Sequence, residues 1–308
     1  MTKVQSRLST MNKDHSIPSS VVYRTATVAG IEVFYREAGM VGAPKLLLLH
    51  GYPASSHQYR NLMPALAGRF HLLAPDYPGF GNTGVPNPSN FAYTFDHLAE
   101  VVDQLISQIG FTGTMGIYME GYGGAIGNRL IDRHRNWLQW QIIQNANSYE
   151  EGLSSAWDPF KALWKDRNPD TEKGMMSYLD PDGVKLVYTH GHKDLGSLSP
   201  DNWNMDSFFL AGQDARQAQM DLFYDFRTNV AMFPQWQEAA RIYQPKTLIL
   251  WGTNDIFFIP SAGEMYLRDL PDAELVRLDS GHFIVEDSLD EVVTAINKFY
   301  DGRIRSGR

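Results

Sequence analysis

The chain runs to 308 residues, 43% of them hydrophobic, which suits one α/β domain carrying an insertion, or two domains at most, around a large core. A formal charge of -8 speaks against nucleic acid as a partner, and the longest apolar run, around 46–49, is far too short to cross a bilayer. With no cysteine there can be no disulfide, thiolate metal site or cysteine nucleophile, and a reducing, cytoplasmic setting is the expectation. Residues 1–20 carry Lys3, Arg7, Lys13 and Asp14 and lack the apolar stretch of a secretory signal, so they read as a flexible leader. Twelve methionines and 12% aromatic residues serve packing first, but they also suit an adaptable apolar pocket.

In chain order, 21–29 and 31–37 alternate around Gly30 and predict an antiparallel hairpin. Segment 45–50 is a continuous apolar run, the mark of a strand buried on both faces of a parallel sheet. A helix is expected over 56–67 and a strand over 70–75. Thr94 caps a helix reaching Gly110, with Leu98, Val101, Val102, Leu105 and Ile106 on one face. A strand over 114–119 enters the turn Glu120-Gly121-Tyr122-Gly123-Gly124, followed by a helix to 135 and a strand over 138–145. The rhythm then lapses between 149 and 234, a stretch rich in Trp, Tyr, Asp and Pro that reads as helical and irregular. It resumes with strands over 247–251 and 274–278 and helices over 261–270 and 289–300. Strands alternating with helices imply a mostly parallel sheet flanked by helices. The expected organisation is a core of 21–148 and 235–308, with 149–234 inserted as a mainly helical lid over the sheet's C-terminal edge.

Four points on this map carry chemistry. They are His50-Gly51-Tyr52-Pro53 at a strand end, Asp76-Tyr77-Pro78-Gly79-Phe80-Gly81 after the next strand, the turn at 119–124, and the pair Asp255 and His282 in Trp251-Gly252-Thr253-Asn254-Asp255 and Ser280-Gly281-His282-Phe283. In this order and strand context, over residues 21–300, the chain resembles the α/β-hydrolase superfamily, in its epoxide hydrolase and haloalkane dehalogenase-like branch. The resemblance implies that Asp255 orients His282 by accepting the second imidazole N–H. It also implies that the backbone N–H groups of Tyr52 and Tyr122 form an oxyanion hole. The plainer alternative makes Asp255 a helix cap and His282 a surface residue. Haloalkane dehalogenases usually carry Asn and Trp where this chain has Tyr52 and Tyr122, so dehalogenation is disfavoured.

The departure is at the nucleophile. Aligning the elbow on Gly123-Gly124 puts the nucleophile position at Gly121, where relatives carry Asp or Ser. Without a side chain there, two-step covalent hydrolysis is excluded. Either a natural protein has abandoned covalent chemistry, or the nucleophile of a hydrolase has been replaced by substitution. Glu120, a carboxylate beside the vacancy, is a candidate pocket residue with a catalytic role open to it, although the side chain at that point in the superfamily usually turns from the cavity and is structural. The lid-side tyrosines Tyr149, Tyr178, Tyr188 and Tyr224 are candidates for the pocket, as is His50, because epoxide hydrolases polarise the epoxide oxygen with lid tyrosines. Residues 225–229 look like a hydrogen-bonded hinge.

Two functions follow. One is an enzyme acting on a lipophilic small molecule by non-covalent lyase, isomerase or cyclase chemistry, in which a histidine tuned near neutral pH moves a proton. The other is a non-catalytic small-molecule receptor, since a lidded apolar cavity suits ligand capture. No cofactor, metal or membrane partner is expected, and oligomeric state is left open.

Overall fold

Two successive positive-φ residues, Ala29 (φ 50°) and Gly30 (φ 81°), turn β1 (Val21–Val28) back onto β2 (Ile31–Ala38), the geometry that matches strand twist in a two-residue hairpin. The computed structural model to which they belong describes residues 20–306, so the expected leader lies outside the described residues apart from Ser20. The remaining strands are β3 (Lys45–Leu49), β4 (His71–Pro75), β5 (Met115–Glu120), β6 (Leu138–Gln144), β7 (Lys246–Gly252) and β8 (Glu274–Leu278). They form an eight-stranded sheet in the order β1-β2-β4-β3-β5-β6-β7-β8. The pairs β1/β2 and β2/β4 are antiparallel, and every pair from β4 onward is parallel. Strand order reverses at β3, which has β4 on one side and β5 on the other. The ends of β3 and β5 therefore flank the crevice where such sheets hold ligands.

Ten α-helices accompany the sheet among the described residues: α1 (Leu62–Leu66), α2 (Phe95–Gln108), α3 (Tyr122–Arg133), α4 (Asp158–Lys165), α5 (Pro169–Met175), α6 (Pro181–Thr189), α7 (Asp201–Phe209), α8 (Gln213–Tyr243), α9 (Pro260–Asp269) and α10 (Leu289–Phe299). Alternation along the central strands splits the core in two. Leu47, Leu49, Ile117, Met119 and Ile249 pack toward α2, α3, α9 and the insertion. Leu46, Leu48, Tyr118, Ile142 and Leu250 pack toward α1 and α10. Burial on both faces is why these strands read as unbroken apolar runs.

One expectation needs revision. The helix expected over 56–67 is a 3-10 turn (Ser56–Tyr59) followed by the short α1. Pro64 explains the break: it has no N–H for the carbonyl of residue 60, so it sits only in a first turn. Conversely, Pro234 lies inside α8, which continues to Tyr243. The helix is tied to the core along its length: Gln219 donates to the Gly79 carbonyl (3.0 Å), Asp225 accepts from the Phe95 N–H (2.8 Å), and Asn229 accepts from Arg129 (2.7 Å). Further on, Gln237 donates to the Ser148 carbonyl (2.7 Å) and Arg241 pairs with Asp269 (2.7 Å). Packing and side-chain bonds outweigh the one backbone bond that Pro234 removes. Among the described residues no helix is long and apolar enough to cross a membrane.

Candidate active site

The turn from β5 into α3 is tight. Gly121 has φ 51° and ψ -117° and N-caps α3, a backbone that glycine adopts without steric cost. At Gly123 a Cβ would lie 2.1 Å from the Leu49 carbonyl oxygen, so close packing against β3 demands glycine there. The N–H groups of Tyr52, in the loop after β3, and Tyr122, first in α3, have no hydrogen-bond acceptor among the described residues. Both follow the strand ends, of β3 and β5, that flank the crevice.

Asp255 stands just past β7 and is held on several sides. Its Oδ1 accepts from the Phe257 N–H (2.7 Å), and its Oδ2 accepts from Asn145 (2.8 Å) and faces His282 Nδ1 (2.7 Å). Gln144 fixes the histidine loop by donating to the His282 carbonyl (3.2 Å). On its other side, His282 Nε2 lies 2.8 Å from Glu120 Oε1. That contact is close but poorly aligned: neither Glu120 oxygen receives a directed hydrogen bond. Position 121 addresses the same nitrogen, because a Cβ on Gly121 would sit 3.1 Å from Nε2.

Electrostatics follow from this clustering. Burial alone would lower the His282 pKa, but Asp255 and Glu120 outweigh it and raise the ring to about 10. The two carboxylates therefore favour the charged form of the His282 ring. Burial raises the Glu120 carboxyl, with His282 pulling it back down.

The cavity beside these groups has Tyr52, Gly121, Tyr122 and His282 in its lining. Its other lining residues are Trp157, Phe160 and Tyr178 from the run before α6, Phe223 from α8, and Phe257 and Phe258 after Asp255. His282 contributes the only ionisable nitrogen to this aromatic lining.

Several candidate pocket residues lie elsewhere. Glu120 is fully buried, in contact with His282 but not in the lining. His50 is buried and stacked 3.9 Å from the Tyr77 ring, and desolvation lowers its pKa to about 3, so it stays neutral. Tyr149 donates to Asp269 (2.7 Å), and Tyr188 donates to Asp206 (2.6 Å) while stacking on Phe283. Tyr224 lies under the Arg227 guanidinium at 3.6 Å. Tyr178 does reach the wall, but its hydroxyl donates to the Ala156 carbonyl (3.1 Å), and the Tyr52 hydroxyl donates to the Tyr178 carbonyl (2.5 Å). Tyr149, Tyr178 and Tyr188 thus spend their hydroxyls on protein partners.

Trp157, Phe160, Phe223, Phe257 and Phe258 were not among the sequence candidates. The signal that could have found two of them is the Phe-Phe pair that starts two residues after Asp255, the acid expected to orient His282. Residues 225–229 fasten α8 to α2 and α3 rather than facing the cavity. No group of three or more His, Asp or Glu is placed to hold a metal ion among the described residues.

Residues 44–289 match the family model for the alpha/beta hydrolase fold. An uncharacterized hydrolase of Saccharomyces cerevisiae, YNR064C, is 36% identical over 261 residues, covering 83% of this chain and 89% of the relative. A cis-3-alkyl-4-alkyloxetan-2-one decarboxylase of Shewanella oneidensis is 26% identical over 283 residues, covering 88% and 85%. Among solved structures, the haloalkane dehalogenase DbeA from Bradyrhizobium elkani superposes with a TM-score of 0.79 at 21% identity, covering 94% of this chain and 100% of that one. With its sheet order, its elbow and a family match spanning most of its length, this chain belongs to the α/β-hydrolase fold family.

Proposed function

We propose that this protein is an enzyme that transforms a lipophilic small molecule without a covalent intermediate, by proton donation from His282 in lyase, isomerase or cyclase chemistry. The observation that supports the reading is Gly121: a glycine stands in the tight turn where the resemblance places a nucleophile, and a Cβ there would lie 3.1 Å from His282 Nε2. A ligand oxygen seated over Gly121 would take the Nε2 proton, and negative charge developing there would meet the free N–H groups of Tyr52 and Tyr122. For an epoxide, the C–O bond would break with its electron pair going to oxygen. A proton leaving the adjacent carbon would return to Nε2, giving an allylic alcohol isomer. Aromatic walls that exclude water favour such internal rearrangement over hydrolysis. The decarboxylase among the relatives is consistent with non-hydrolytic chemistry on this scaffold.

The test is incubation of the protein with a panel of aryl and alkyl epoxides and p-nitrophenyl esters in ¹⁸O-water. The expected result is isomerised product without label and no mass increase on the protein. A covalent adduct, or labelled diol or acid, would overturn the proposal. Saturable binding with no turnover of any panel member would favour the receptor reading.

A further inference from the structure

We infer that Glu120 has taken over, from one residue upstream, the anionic place opposite His282 Nε2 that a carboxylate at position 121 would hold, so that Gly121 and Glu120 form a matched pair. The inference rests on the reading of Gly121 as a vacated nucleophile position and assigns Glu120 a role in it. Two positions converge on one atom: Glu120 Oε1 is 2.8 Å from Nε2, and a Cβ on Gly121 would be 3.1 Å from it.

Glu120 ends a strand whose other residues, Met115 to Met119, are apolar and buried. Its carboxylate is wholly buried, and neither oxygen receives an aligned donor. The polar groups next to it are the His282 ring, the Gly51 N–H and the Gln58 side chain, and of these only His282 brings a positive charge. The fold also makes room for it, because a Cβ on Gly51 would lie 2.5 Å from Glu120 Oε2. Around the ring, Asp255 faces Nδ1 and Glu120 faces Nε2. Phe257, Phe258 and Phe283 fill other sides, while Tyr59, Tyr77 and Tyr118 lie on the far side of Glu120.

One imidazolium is thus already matched by two carboxylates. An aspartate at 121 would bring a third negative charge into the same buried space, so replacing the glycine alone should not restore covalent chemistry. Glu120 is a positioning residue: it acts through the histidine and does not reach the cavity. The raised pKa of His282 agrees with this arrangement.

Two measurements on the full chain test the inference. In ¹⁵N-histidine NMR, Glu120→Gln keeps the volume and removes the charge, and the His282 titration midpoint should fall by at least one pH unit, a tenfold change in proton affinity. Glu120→Met serves the same purpose if the Gln variant does not fold. An unchanged midpoint in a folded variant overturns the inference, and this readout needs no substrate, so it stands apart from whether the protein turns anything over. In the second, Gly121→Asp and the double variant Glu120→Gln/Gly121→Asp are incubated with styrene oxide and followed by intact mass. The new carboxylate oxygen would attack an epoxide carbon, the C–O bond would break, and the freed oxygen would take the His282 proton. At least tenfold more adduct is expected in the double variant than in the single one. Equal accumulation would show that Glu120 does not occupy the nucleophile's place.

Discussion

Replacing Gly121 with alanine asks whether the elbow has the backbone and the crowding described above. An L-residue at φ 51° and ψ -117° carries strain of about 1–3 kcal/mol. The added methyl would stand 3.1 Å from His282 Nε2 and 3.3 Å from Gly51 Cα, and overpacking of that kind costs roughly 1–3 kcal/mol. Against this, alanine reduces the freedom of the unfolded chain, which returns about 0.4–1 kcal/mol. The expected net loss is roughly 1–6 kcal/mol. Equilibrium urea unfolding followed by tryptophan fluorescence would measure it, provided the transition is reversible. Two comparisons sharpen the result. Gly123→Ala should cost more, because its methyl meets the Leu49 carbonyl at 2.1 Å and backbone cannot swing aside. Gly174→Ala, in α5 with nothing within 4 Å, should be neutral or stabilising by up to about 1 kcal/mol. A Gly121→Ala protein within about 0.5 kcal/mol of the parent would refute the reasoning, since surface substitutions away from special features fall in that range.

His282→Ala should lower the rate of any turnover found with the epoxide panel by roughly 10²–10⁴-fold, the usual span for a general acid; an unchanged rate would remove His282 from the chemistry. Stability should fall as pH rises from near neutral toward 10. His282 is raised from 6.5 to about 10 in the folded protein, so its contribution is complete below the unfolded value and lost on passing the folded one. The raised Glu120 pKa acts in the same sense, beginning above its ordinary value of 4.5. Melting temperature against pH should show this decline for the parent and a flatter profile for Glu120→Gln. Arg60→Met should cost about 3 kcal/mol or more by urea unfolding, because Arg60 makes a two-pronged pair with Glu286, whose side chain is 3% exposed.

Much of the architecture was legible because chemistry-bearing residues fell at the ends of strands that announced themselves. The apolar runs around Leu47 and Ile249 exist because both sheet faces are covered, and the hairpin at Gly30 follows from local turn chemistry alone. Asp255 and His282 could be found because each follows a readable strand. What was not legible depends on partners distant in the chain. Nothing near Tyr149 or Tyr188 says that their hydroxyls end on Asp269 and Asp206, and these bonds keep both from the cavity. Pro64 and Pro234 look alike in sequence, yet only the first limits a helix; the second is overridden by contacts from Gly79 to Asp269. Glu120 was visible as a carboxylate ending an apolar strand, but its apposition to His282 depends on bringing residues from β5 and the loop after β8 together.

The anchoring of α8 constrains how anything enters the cavity. A helix of 31 residues is a rod of roughly 45 Å, and this one is bolted to the sheet layer at points from Gln219 to Arg241. It cannot swing as a flap without breaking several buried bonds at once, so it serves as a fixed doorpost, with Phe223 as its fixed contribution to the wall. The opposite jamb, formed by Trp157, Phe160 and Tyr178, belongs to the shorter run from 150 to 210, which leans on α8 through Trp164 donating to the Phe223 carbonyl (2.8 Å) and Arg167 pairing with Asp221 (2.7 Å). Hydrogen exchange should reveal the asymmetry: amides in the middle of α8 exchange only with global unfolding, whereas those of α4 to α7 exchange through cheaper local openings.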